Sequence, residues 1–464
     1  MQGTVSGGPQ TAPAATAEED DEVTMSGIGR ARGVWLPVAV WAVTRAVVLL
    51  CVLRVLVLPG PDVTTDVSVI YQGWSGILKT GTFPLADVTW QYPPAAALAI
   101  LSPGLLPFLD YAPAFFTLIL VTDAAALALF LRAGRRAGHR PAGAWVWIAG
   151  VALLGPTAYA RYDLMVVAVA AAALFAAARR PRVAGALVAF GALLKAWPVL
   201  LLTGAAVRGR RARSLWWSAA GTAAGLALLF AAVAPGAWAF LTFQRDRGTE
   251  VESLGALVFH VARQYGWDGQ VLLHYGSLEF LGPGVPFVST LALTLSLAAV
   301  GWLFLWRVRA REFGPATLCD AAFTATLLFT TTSRVISPQY MLWLVGLAAV
   351  CVTVRASRQA LPAVLVLLAT GVTLLEFPVW FADVVASDPR GVALLVVRNG
   401  LLVAASLFAC RRLWVATRGT GPGRTEPVGV VGARRPVGEI TAATGRLARP
   451  APQAPAGGPA APGR

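Results

Sequence analysis

Lysine is almost missing from this chain: Lys79 and Lys195 are the only two in 464 residues. Charge of either sign is scarce, at 13% of residues against 57% hydrophobic, with a mean hydropathy of +0.66. That balance excludes an ordinary water-soluble domain. The four cysteines, Cys51, Cys319, Cys351 and Cys410, lie in or beside apolar runs with no CxxC, so neither a disulfide framework nor a zinc ribbon is indicated. No Walker A loop, no Rossmann glycine fingerprint and no HExxH occurs, which removes the usual sequence support for ATP, dinucleotide and zinc-protease chemistry. The absence of any Asp-x-Asp triplet leaves metal-dependent use of a nucleotide sugar without support as well. Neither a metal nor a cofactor is expected.

What the chain does have is a series of apolar runs of about twenty residues, from Val34 almost to Trp414, each of a length that spans a bilayer as a helix. Length alone would suggest two or three soluble domains, but one polytopic bundle accounts for it better. The net charge of +15 would suit nucleic acid. The arginines instead cluster in short loops between apolar runs, where the positive-inside rule places them, so membrane lipids are the expected partner and nucleic acid is not. Arginine in place of lysine, with abundant Ala, Gly and Val, fits a GC-rich bacterial genome.

The arginine loops set a topology. Residues 1–33 carry Glu18-Glu19-Asp20-Asp21-Glu22 and no basic signal-peptide start, so they read as a disordered cytoplasmic tail. The first span, about 34–58, then runs outward. Segment 95–109 is short and holds Pro103, Gly104 and Pro107, which predicts a re-entrant piece. Segment 183–207 is one span long but has arginines at both ends; two short helices meeting at Leu194-Lys195-Ala196-Trp197-Pro198 keep both ends inside, and Pro198 disfavours helix at Trp197. The count is about 12 crossings over a transmembrane domain at 34–413, with outer loops at 59–94 and 235–285. A disordered cytoplasmic tail follows at 414–464. Both termini are cytoplasmic, and the setting is a bacterial cytoplasmic membrane.

On this topology the polar residues gather on the outer side: Asp66, Tyr92, Arg161, Asp163, Lys195, Gln244, Arg245, Arg247, Glu250, Glu252, His260, His274, Arg334, Gln339 and Tyr340. Ionised groups within spans cost a few kcal/mol and are functional candidates by default. The loop Thr64–Pro94 opens at Asp66 with Val67, Ile70, Tyr71, Trp74, Ile77 and Leu78 at helical spacing, which predicts an amphipathic helix on the bilayer surface. Asp66 suits a helix N-cap as well as a general base. Arg161 and Asp163, in Tyr159-Ala160-Arg161-Tyr162-Asp163, suit a self-satisfied turn pair as well as a ligand site. Lys195 and the arginines have the chemistry to hold a lipid phosphate and to stabilise it as a leaving group. The dense mixed charge at 243–254, with Trp238, Tyr265 and Trp267 nearby, suits a sugar or a solvated loop. His260 and His274 are too far apart to read as a zinc pair.

Taken in order, an Asp in the first outer loop, Tyr92-Pro93-Pro94, Lys195 before Trp197-Pro198, Arg247-Gly248 ahead of Glu252-Ser253-Leu254, and Ser337-Pro338-Gln339-Tyr340 resemble glycosyltransferase family 87 over about residues 34–413. The resemblance implies an actinobacterial, polyprenyl-phosphate-mannose-dependent α-mannosyltransferase of the C-type membrane fold. The fold it implies is an all-α helical bundle. It implies inverting transfer, outside the cytoplasmic membrane, from a polyprenyl-phosphate sugar to a glycolipid or glycan acceptor, without a metal. By that resemblance Asp66 is the base, with Asp62 and Asp87 as rivals in the same loop. Lys195, Arg161 and Arg334 hold the donor phosphate. Tyr92, Asp163, Arg247, Glu252, His260, Gln339 and Tyr340 shape the substrate cavity. Two alternatives remain open: an arabinofuranosyltransferase of the same fold using polyprenyl-phosphate arabinose, and a lipid or solute transporter, whose sites form at helix breaks such as 194–198.

Overall fold

A computed structural model describes residue 3 and residues 17–84, 87–241 and 248–418. The chain is an all-α polytopic membrane protein. Among the described residues six helices are long and apolar enough to cross a membrane: Val34–Val52, Tyr111–Gly134, Arg210–Val233, Val285–Arg309, Ala360–Val379 and Pro389–Thr417. Shorter helices occupy the remaining segments: Ala142–Leu154 with a 3-10 turn at Gly155–Ala158, Asp163–Ala176, Pro181–Leu194, Trp197–Gly204, Thr317–Thr332 and Tyr340–Thr353. The 183–207 segment breaks where Pro198 predicts, with Lys195 in extended conformation (φ −159°, ψ 133°) between its two helices. Segment 95–109 is one short helix, Ala96–Leu101, running into the 3-10 turn Ser102–Leu105. At about 1.5–2 Å per residue that piece is too short to cross a core about 30 Å thick.

The centre of the bundle is the Tyr340–Thr353 helix, buried at every position from Met341 to Cys351. A helix that is apolar all round has no face for solvent or lipid and belongs inside. It packs on Ala142–Leu154 and on Asp163–Ala176. Close approach depends on small residues: a Cβ at Gly143 would run into the Ala349 carbonyl and the Thr353 side chain, and one at Gly346 into Val167.

Ionised groups inside the bundle are pinned to one another. Asp123, fully buried, accepts from Arg45 Nε (2.6 Å), Trp147 Nε1 (2.7 Å), Tyr159 Oη (2.8 Å) and Trp41 Nε1 (3.1 Å). Arg45 also donates to the Ile148 carbonyl at 2.9 Å. This node ties the first helix to Tyr111–Gly134 and to Ala142–Leu154. A second buried pair, Arg398 with Glu376 (2.5 and 3.1 Å), joins Pro389–Thr417 to the end of the preceding helix.

The first helix begins at Ala17. The last helix runs on to Thr417, past the expected boundary at 413. The 235–285 loop contains a three-stranded antiparallel sheet, in which the hairpin Gln270–His274/Ser277–Leu281 has Thr249–Glu250 on its far edge. Tyr275 and Gly276 both take positive φ, the geometry of a tight two-residue hairpin turn.

Removing one partner of the Asp123 node leaves a buried charge uncompensated, a cost of about 3–5 kcal/mol. Asp123→Ala should therefore lower the detergent-solubilised melting temperature sharply or abolish folded protein, whereas Arg45→Met with Asp123→Leu should recover much of the loss. A double variant as unstable as the single would show that the charge pair is not what the site requires.

Candidate active site

The group forms around the turn Tyr159–Asp163 at the start of the Asp163–Ala176 helix. Its two charged residues face different partners. Arg161 pairs with Asp66 at 2.8 Å, and Asp163 accepts both Lys195 Nζ contacts, at 2.7 and 2.8 Å. The self-satisfied Arg161–Asp163 pair that the sequence allows does not form. Arg161 also donates to the carbonyls of Val63 (3.1 Å) and Ala160 (2.8 Å), which fixes the 59–94 loop against the turn, and its Nε is buried without a hydrogen-bond partner. Asp163 is fully buried, while the Asp66 side chain keeps 31% exposure.

Lys195 sits in an aromatic cage. Its Nζ lies 5.1 Å from the Tyr162 ring centroid, 5.3 Å from Tyr92 and 5.4 Å from Trp343, all within cation–π range. Trp343 Nε1 donates to Asp163 at 2.6 Å, and its ring is stacked between Tyr340 (4.0 Å) and Trp197 (5.5 Å). Tyr340 is thus part of the group, and Gln339 precedes it, half-buried, at the start of the same helix. Burial, then the carboxylates of Asp66 and Asp163, push the Tyr92 phenol up, so it stays neutral.

The loop that carries Asp66 folds as Asp66–Tyr71, wound as a π-helix, continuing into the α-helix Gln72–Leu78. The helix is where the periodicity predicts it, but its aromatic face is not in the bilayer surface. Val67, Tyr71, Trp74 and Leu78 are buried against protein, with Tyr71 on Phe115 and Tyr162 and Trp74 on Trp90 and Tyr92. Tyr and Trp mark an interface when one side is wet; here a cluster of other aromatics covers them first.

The three loop aspartates separate by what they hold. Asp62 accepts from the Thr64 amide (2.9 Å) and hydroxyl (2.7 Å) and is ion-paired with Arg54. Asp87 accepts from Thr89 and from Trp74 Nε1 (2.7 Å); burial pushes its pKa up, but those hydrogen bonds outweigh it and hold it below the usual range. Asp66 makes no capping bond at its helix start and faces Arg161.

The remaining predicted residues lie elsewhere. Glu250 joins its strand to the 333–337 loop, with its amide on the Arg334 carbonyl (3.1 Å) and its carboxylate accepting from the Ile336 amide (2.5 Å). Arg334 is half-buried in that loop. Glu252 is buried over Arg398 and Asn399, which donate to its carbonyl. Burial, then the carboxylates of Glu250 and Glu376, raise the Glu252 pKa well above the usual range. His260, expected to shape the substrate cavity, has one ring nitrogen on Ser387 Oγ and the other on the Val251 carbonyl, both at 2.8 Å, with Phe280 packed edge-on to it. Burial lowers its pKa, so it stays a neutral packing residue that joins the 235–285 loop to Ser387. Arg247 lies outside the described residues.

Sequence reading missed Trp343, Tyr162 and the Arg45–Asp123 and Arg398–Glu376 pairs. Trp343 reads as core in an apolar run; its spacing of three from Tyr340, which puts both on one helix face, was the available signal. The two pairs were detectable as opposite charges placed within spans.

Two stability predictions follow from the burial contrast. Asp163→Ala strands Lys195 in its cage and should cost about 3–5 kcal/mol, and Asp66→Asn, which takes the counter-charge from buried Arg161 but leaves a polar, partly exposed side chain facing it, should destabilise less than Asp163→Ala; melting temperatures of purified variants compare them. Glu252 takes up its proton more readily folded than unfolded, so its stabilising contribution is present at low pH and is lost as pH rises through the raised folded pKa. Glu252→Gln should accordingly gain stability over wild type toward alkaline pH; parallel melting curves across pH would contradict this.

Comparison with known sequences bears on the whole group. No curated protein matches the chain. The family model of glycosyltransferase family 87 matches residues 90–338, a stretch that takes in Tyr92, the Arg161–Asp163 turn, Lys195 and Arg334, while Asp66, Gln339 and Tyr340 lie outside it. Since the match covers more than half of the chain, the protein belongs to glycosyltransferase family 87.

Proposed function

We propose that the protein transfers a mannosyl residue, with inversion, from a polyprenyl-phosphate sugar to a lipid or glycan acceptor at the outer face of a bacterial cytoplasmic membrane. The observation that carries this reading is that one five-residue turn holds both halves of the chemistry. Arg161 at 2.8 Å fixes the partly exposed carboxylate of Asp66, and Asp163 two residues on fixes the ammonium of Lys195. Asp66 is the general base and takes the proton from the acceptor hydroxyl. The acceptor oxygen bonds to C1 of the sugar as the bond from C1 to the phosphate oxygen breaks, and a β-linked donor gives an α-linked product. Polyprenyl phosphate leaves as the anion.

An ammonium has three donors, and Asp163 takes two of those on Lys195. The third, with the unpartnered Nε of Arg161, is offered to the phosphate, where charge grows in the transition state. Arg334 adds a cation from the 333–337 loop. Tyr92 beside Lys195 and Tyr340 stacked on Trp343 set the sugar's position, with Gln339 next to them at the start of the same helix. The arabinose-transferring alternative uses the same base and phosphate site and differs only in the sugar pocket.

Purified protein incubated with polyprenyl-phosphate mannose, polyprenyl-phosphate arabinose or GDP-mannose, each with a membrane lipid extract, tests the donor. Transfer from polyprenyl-phosphate mannose alone is expected. Transfer from the arabinose donor would move the assignment to that sugar, and transfer from GDP-mannose alone would overturn the lipid-phosphate reading.

A further inference from the structure

Three helices that reach the Lys195 group at one end line a cavity at the other. Asp163–Ala176 starts at the turn and ends at Leu174 and Phe175; Pro181–Leu194 ends at Lys195 and starts at Pro181; Tyr340–Thr353 carries Trp343 near its start and Val350 near its end. Fourteen residues of helix separate the two places by about 20 Å. The cavity measures about 530 Å³, within the range of small-molecule pockets. Its walls are apolar, including Leu174, Phe175, Leu215, Phe313, Leu318 and Val350.

Four arginines, Arg136, Arg179, Arg211 and Arg355, stand around this space, and no Asp or Glu is among the lining residues. Among the described residues none of the four is in an ion pair. Arg136 reaches only the Phe175 carbonyl (3.5 Å) and Arg355 the His139 carbonyl (2.9 Å). A fifth arginine adjoins the wall: Arg307 donates to the Ala205 carbonyl (2.6 Å), stacks 4.4 Å over Phe313, and leaves Nη1 buried without a partner. The positive-inside rule accounts for arginines at this end of the bundle, but not for an apolar hollow enclosed by them.

We propose that this cavity holds one anionic membrane lipid, its phosphate on the arginines and the start of its chains along the apolar wall. A phosphate matches guanidinium donors in charge and geometry. A polar metabolite would leave the Phe175–Leu318 wall wetted, and a neutral apolar molecule would leave the arginines uncompensated. A protein embedded in a membrane meets phosphate-bearing amphiphiles at high local concentration.

Native mass spectrometry of wild type, Arg179→Ala/Arg211→Ala and the cavity-filling Ala178→Trp tests this, with dioleoyl phosphatidic acid, dioleoyl phosphatidylcholine or inorganic phosphate added in neutral detergent. All three substituted positions are exposed, and size-exclusion profiles check the fold. Wild type should retain one more phosphatidic acid than either variant, with binding at least about tenfold weaker in the arginine variant. Phosphatidylcholine should bind correspondingly less. Lipid held at the Lys195 end is untouched by these substitutions and cancels in the comparison. Equal retention by wild type and variants, equal binding of phosphatidylcholine, or displacement of the lipid by inorganic phosphate at equal concentration would overturn the proposal.

Discussion

An ionised side chain carried out of water and into a membrane-embedded bundle requires a counter-charge at contact distance, because the low-dielectric interior leaves it no other stabilisation. Four cations are buried among the described residues in this way, and each has a carboxylate from a separate segment: Arg45 with Asp123, Arg161 with Asp66, Lys195 with Asp163, and Arg398 with Glu376. The pairs do more than neutralise. Each fixes the register of two elements whose apolar surfaces alone would slide, since lipid offers helices little hydrophobic reason to choose one packing.

The chemistry of the site grows from the same constraint. The turn Tyr159–Asp163 contributes an arginine and an aspartate that both look away from it, so the turn is complete only when the 59–94 loop and the broken 183–207 segment dock. Lys195 can stay charged among Tyr92, Tyr162 and Trp343 because Asp163 is bonded to it and the rings are attractive to a cation. Asp66 differs from the other three acids in keeping partial exposure, which is what access to an acceptor hydroxyl requires. The opposite end of the same helices carries uncompensated arginines around an apolar space, so the bundle presents two chemically different ends.

Much of the fold was legible in the sequence because the arginine loops and apolar runs obey a strong physical rule. The break at Lys195 was legible because Pro198 and flanking arginines both demanded it, and the helix opening at Asp66 because Val67, Tyr71, Trp74 and Leu78 recur on one face. What that face packs on was not legible: an aromatic stripe looks alike whether it meets headgroups or Phe115 and Tyr162. His260 was equally ambiguous, and only its two hydrogen bonds, to Ser387 and Val251, identify it as a packing residue. The partners of Arg161 and Asp163 lie about 95 and 32 residues away in sequence, at Asp66 and Lys195. Local spacing favours pairing them with each other, and only the tertiary arrangement decides otherwise.

In the proposed reaction Asp66 removes the acceptor's proton while the Lys195 group holds the donor. Its most direct measurement is single-turnover transfer from polyprenyl-phosphate mannose by wild type and Asp66→Asn, with donor affinity determined in parallel. The variant should transfer at least about a hundredfold more slowly, the lower bound for losing a general base, with donor affinity changed by less than about twofold. Transfer by Asp66→Asn at the wild-type rate would contradict it.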